Sequence, residues 1–129
     1  MNNERESTAP GTATAAAPVL VLCTDLLFVT KITGTAKAVG RPARVVRSTE
    51  KLQEELRAYA PPPLLIVDLN AGGMDPMGAI RLAKAHAVPV VAYVSHVEAD
   101  LAAAAKQAGA DRVMARSAFV MQLPKLLQP

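Results

Sequence analysis

The chain has no tryptophan, and aromatic residues make up only 3% of its 129 positions. Few rings are left on which the bases of single-stranded nucleic acid could stack. The only cysteine, Cys23, cannot close an internal disulfide, and with His86 and His96 it gives no zinc-ligand spacing. A reducing cytoplasm is therefore the expected compartment. No apolar run approaches the ~20 residues that span a bilayer, so no membrane partner is expected. Leu20-Val21-Leu22-Cys23 follows an alanine run, as at a lipoprotein cleavage site. Yet Glu4 and Glu6 lie early, the apolar run is short and Leu22 is not small, which argues against a leader. Charge of one sign is also scarce. Fourteen cations against eleven anions leave +3, too little for a dedicated polyanion binder, and no nucleic-acid partner is expected.

What the chain does have is apolar substance, at 51% hydrophobic and 19% charged, enough for one domain. Residues 1–17 mix Asn, Glu, Ser, Thr, Gly, Pro and Ala without period and read as a disordered tail, with a folded domain over 18–129. Val19 to Cys23, Arg44 to Arg47, Leu64 to Leu69, Val88 to Val94 and Arg112 to Ala115 are strand candidates. Three are nearly continuous apolar runs, as parallel strands covered on both faces require. Helix candidates lie between them. Asp25 can cap the first and Gly40 end it; Ser48 or Thr49 opens the second; Asp75-Pro76 opens the third. Ser95 or His96 opens the fourth, which ends at Gly109, and Ser117 opens the fifth, where Pro124 limits or kinks the helix.

Such alternation predicts an α/β fold, a doubly wound five-stranded parallel sheet. The first and fifth helices should cover one face and the other three the opposite face. Arg44 and Arg47 place the second strand at an edge, which fits the flavodoxin-like order 2-1-3-4-5. Chemistry in such sheets collects beyond the carboxyl ends of the strands. Asp68, Thr24, Ser95 and Arg116 should therefore converge, with Asp25 beside them.

Asp68 closes an apolar run, Gly73-Met74-Asp75 opens the third helix, and Ala108-Gly109-Ala110-Asp111 precedes the fifth strand. In this order, over about Pro18 to Leu127, these motifs resemble the receiver domain of two-component response regulators. The resemblance implies that Asp68 stands at the phosphoacceptor position. It also implies departures. Cys23 and Thr24 occupy the places of the acidic pair that helps hold Mg2+, with Asp25 one residue later. Val94 stands at the switch Ser/Thr position, with Ser95 next, and Arg116 replaces the lysine without its following proline. Thiol and hydroxyl add no charge for a hard cation, so weak Mg2+ binding at most is expected, with no metal site and no other cofactor.

Blander readings stand beside these. Asp68 could be a strand-end carboxylate satisfying loop amides, and Asp25 reads first as a helix cap. Ser95 and His96 are adjacent, a poor geometry for a nucleophile and its base. Arg41, Arg44, Arg47 and Lys51 read as a solvated edge.

The resulting expectation is a stand-alone, degenerate receiver-like domain that acts in signal transduction by binding another protein and is not an enzyme. No output module is expected to follow it. A functional receiver phosphorylated on Asp68 is the first alternative, and a small-ligand-binding flavodoxin-like protein the second. The partner is expected to be a signalling protein, with a second copy of the chain as an alternative. The resemblance places the partner surface on the fourth helix, fifth strand and fifth helix, which carry Val97, Glu98, Leu101, Met114, Phe119, Val120 and Met121. Arg116 is expected to pair with Asp68 and hold its carboxyl below the ordinary range.

Overall fold

The structure, a computed structural model, describes residues 17–58, 62–95 and 98–128. The tail over 1–16, His96 and Val97 lie outside the described residues. Five strands alternate with five helices: β1 Val19–Leu22, α1 Leu26–Ala38, β2 Ala43–Val46, α2 Thr49–Ala58, β3 Leu65–Asp68, α3 Pro76–Ala85, β4 Val90–Val94, α4 Ala99–Ala108, β5 Arg112–Ala115 and α5 Arg116–Leu127. All pairings are parallel and the order is β2-β1-β3-β4-β5, the flavodoxin-like 2-1-3-4-5 arrangement.

Strand parity divides the core in two, because successive side chains point to opposite faces of the sheet. Leu20, Leu22, Leu65, Val67, Val90 and Ala92 pack with α2, α3 and α4. Val19, Val21, Cys23, Ile66, Val91 and Tyr93 pack under α1 and α5, against Phe28, Ile32, Phe119 and Leu123. The expected three-and-two division of the helices therefore holds. The least apolar candidate strand, β2, is at an edge, where Arg44 reaches Glu55 of α2 at 3.1 Å.

Local chemistry sets most of the boundaries. Asp25 Oδ1 accepts the amides of Leu27 and Phe28, and Asp75 Oδ1 that of Gly78, satisfying amides that a helix start leaves unpaired. Gly40 and Gly109 both take positive φ where α1 and α4 end.

The last two helices depart from expectation. Helix α4 begins at Ala99 rather than at Ser95 or His96: the Glu98 carbonyl accepts the Ala102 amide at its start, while the Ser95 amide is tied to Asn70 in the loop after β3. Helix α5 begins at Arg116, directly after β5, so Ser117 lies inside it and caps nothing. Pro124 does not stop α5, which runs on to Leu127. One amide is forfeited, while Leu123 and Leu127 on either side are fully buried. Among the described residues no helix is long and apolar enough to cross a membrane.

Candidate functional site

Register brings the site together. Leu22 pairs with Val67 and Asp68 with Tyr93, so the next step along β1 sets Cys23 beside the end of β3. Parity points Cys23, Asp68 and Tyr93 to the α1/α5 face. The Tyr93 hydroxyl donates to Cys23 Sγ at 3.3 Å, and that thiol reaches Asp68 Oδ2 at 3.8 Å and the Asp25 carbonyl at 3.7 Å. Beneath them Tyr93 stacks on Phe119 at 4.5 Å between ring centroids, and Phe28 packs at 4.9 Å from Tyr93.

Asp68 is only 6% exposed, and burial raises its carboxyl above the ordinary range. The Asn70 amide, the Cys23 thiol and the Arg116 charge pull the other way without reversing the shift. Burial likewise pushes the Cys23 thiol up, so it stays protonated and donates, and burial pushes the Tyr93 phenol up. The floor of the site is thus a chain of neutral donors that ends on one carboxyl group.

The expected Arg116–Asp68 lock is not formed. Arg116 Nη2 lies 3.1 Å from Asp25 Oδ2, and its Cζ sits 4.2 Å from the centre of the Phe28 ring. The exposed Asp25 carboxylate is the better partner because its charge remains hydrated, while the Phe28 ring face holds the guanidinium away from Asp68. Asp68 accepts instead from the Asn70 amide at 2.9 Å, as the strand-end reading anticipated. Burial outweighs that contact, so its carboxyl is raised rather than lowered. Asp25 is the group held low, first by the Phe28 amide, with Arg116 and the Leu27 amide adding to it.

Of the expected pocket, Arg116 and Ser95 line one cavity of about 480 Å³ with Phe28, Val94, Ser117 and Val120. Asp25 joins it through Arg116, whereas Thr24 is exposed at the strand end. On the expected partner surface, Met121 is 83% exposed and Leu101 and Met114 are half-buried. Phe119 does not belong there. It is fully buried under Tyr93, since its spacing with Leu123 and Leu127 turns it into the sheet. Val97 lies outside the described residues.

Tyr93 and Asn70 went unmarked in the sequence. Tyr93 shares the parity of Val91, which was a signal available in the strand pattern. Asn70 carried only its place two residues after Asp68. Its Oδ1 accepts the Ser95 amide at 2.8 Å, and its Nδ2 donates to Glu98 Oε1 at 3.2 Å.

Magnesium, which the sequence resemblance implies, finds no matching donor set. Among the described residues no three His, Cys, Asp or Glu groups gather to hold a metal ion. Both Asp25 oxygens are engaged, one by two amides and one by Arg116, and Cys23 offers a protonated thiol where a hard cation needs an anionic oxygen.

No protein-family model matches the chain, and no curated protein matches it. Solved structures do resemble it. A response regulator from Burkholderia pseudomallei with a phosphorylated aspartic acid is 18% identical with a TM-score of 0.73, over 86% of this chain and 66% of that one. A phosphorylated cyanobacterial phytochrome response regulator is 17% identical with a TM-score of 0.69, over 88% and 90%. A response regulator from Thermotoga maritima is 17% identical with a TM-score of 0.67, over 87% and 98%. The fold is that of response-regulator receiver domains.

Proposed function

We propose that this chain is a receiver-like signalling domain that acts by binding another protein, with impaired or absent Mg2+-dependent phosphorylation of Asp68, and that it is not an enzyme. The observation that carries this reading is the state of the acid cluster. Where a metal-assisted transfer to Asp68 calls for carboxylates, a neutral thiol donates to Asp68, and Asp25 is committed to capping α1 and pairing with Arg116.

Leu101 and Met114, with Met121 of α5, supply half-buried and exposed apolar side chains for a partner. Methionine side chains adapt to irregular surfaces, which suits such a contact. A buried free thiol in hydrogen-bond contact with the pocket suits a reducing compartment, in keeping with a cytoplasmic protein.

The deciding measurement is intact mass after incubation with acetyl phosphate and Mg2+, beside an Asp68→Ala control. The expected result is no stable adduct. A phosphate adduct lost in Asp68→Ala would establish the alternative, a working phosphoacceptor, which the position of Asp68 at the carboxyl end of β3 favours.

A further inference from the structure

Asn70 makes three hydrogen bonds, two of which join parts of the chain far apart in sequence. Its amide donates to Asp68 Oδ1 at 2.9 Å, its Oδ1 accepts the Ser95 amide just beyond β4 at 2.8 Å, and its Nδ2 donates to Glu98 Oε1 at 3.2 Å. Glu98 is the residue from which α4 starts, yet its carboxylate makes no capping bond to that helix. Its carbonyl accepts the Ala102 amide, so Glu98 is part of the first turn of α4 while its side chain is tied to the loop after β3. Glu98 also lines the shallow apolar groove of about 190 Å³ between α4 and β5, with Ala99, Ala102, Val113 and Met114. Val94 stands at the last position of β4 and offers no hydroxyl that could carry a signal from Asp68 toward this groove.

We propose that Asn70 is a positioning residue that couples the Asp68 pocket to helix α4, and that its clamp on Ser95 and Glu98 holds the α4–β5 groove in one state with no phosphoryl group present. The physical ground is a short continuous path. One residue reads the Asp68 carboxyl through its main chain and grips the start of α4 through its side chain. A neutral amide suits this role because it accepts from one neighbour and donates to the other. A carboxylate in its place would face Glu98 with like charge, and a hydroxyl is shorter and would not span both partners. The inference rests on the preceding functional reading for the groove's use by a partner; the coupling itself does not.

The test is a double-mutant cycle read by NMR on the full chain. Asp68→Ala is made in the parent, in Asn70→Ala and in Glu98→Ala, and the Ser95 amide and the Val113 methyl groups, which face α4 across the groove, are followed. In the parent, Asp68→Ala should shift both signals. In Asn70→Ala, the Ser95 amide should exchange with solvent on the order of tenfold faster, as expected for the loss of one hydrogen bond, and the Val113 response to Asp68→Ala should collapse. Glu98→Ala leaves the Asp68 and Ser95 contacts in place, so it keeps Ser95 protected while cutting the Val113 response. A merely structural role would alter stability in each variant without making the response to Asp68→Ala depend on Asn70 or Glu98. An undiminished Val113 response in Glu98→Ala overturns the proposal, even if Asn70→Ala proves too unstable to study. A phosphate adduct on Asp68 would overturn the functional reading and leave this cycle untouched, so the two failures are distinguishable.

Discussion

Replacing the thiol in the pocket with a carboxylate, Cys23→Asp, tests the electrostatic account of the site most directly. Cys23 Sγ lies 3.8 Å from Asp68 Oδ2, so the new carboxylate would face Asp68 at about that separation. Two like charges at that distance and an effective dielectric constant of about 20 repel by roughly 4 kcal/mol. Protonation sets a ceiling of similar size. Holding one carboxyl neutral at pH 7, against an ordinary value near 3.8, costs about 1.36 kcal/mol per pH unit, again roughly 4 kcal/mol. For a domain of this length the loss corresponds to a fall in Tm of about 15 °C in metal-free buffer. The variant also supplies the anionic oxygen that a hard divalent cation lacks in the parent. Mg2+ at a hundredfold excess over its dissociation constant would restore about 2.7 kcal/mol. Thermal unfolding of parent and variant, each with EDTA and with 10 mM Mg2+, reads both effects. The expected pattern is a parent indifferent to Mg2+ and a variant that is destabilised without it and recovers with it. A parent stabilised by Mg2+ as strongly as Cys23→Asp would refute the reasoning, as would a variant whose Tm ignores the metal.

Asp68→Asn should raise stability near neutral pH. Burial lifts the folded-state carboxyl above its unfolded value, so the folded protein binds the extra proton and stability falls as pH rises from about 3.8 through that raised value. Denaturant melts across that window should show the slope in the parent and its loss in the variant. Arg116→Ala should let Asp25 titrate higher while the Phe28 and Leu27 amides still keep it below the ordinary range, and should raise Asp68 further because a positive charge near it is lost; carbon-detected NMR titration checks both. Phe119→Ala empties a fully buried site stacked on Tyr93 and should cost roughly 3–5 kcal/mol by urea unfolding, far more than a surface residue would. Met121→Ala, at a side chain 83% exposed, should change stability by less than about 0.5 kcal/mol.

The order of elements was legible in the chain because parallel strands buried on both faces must be continuous apolar runs. Leu65, Ile66 and Val67 can be nothing else between a proline run and a glycine loop. Capping chemistry was legible for the same local reason, since Asp25 and Asp75 act on amides only two or three residues away. Arg44 in β2 and Arg47 just after it marked an edge because a charged side chain on a central strand would have no water to meet. Tertiary structure decided what depends on residues distant in sequence. Arg116 had two carboxylates within reach of its strand end, and only the packing of Phe28 under the guanidinium turned it to Asp25. Ser95 looked like a helix cap, but its amide is tied to Asn70 of another loop and α4 starts instead from Glu98, whose carbonyl accepts the Ala102 amide. The pKa of Asp68 followed the same logic. Residue identity supplies a carboxyl group, but the sign of its shift comes from how much water the surrounding helices and the Tyr93–Cys23 pair exclude, which only the assembled layers determine.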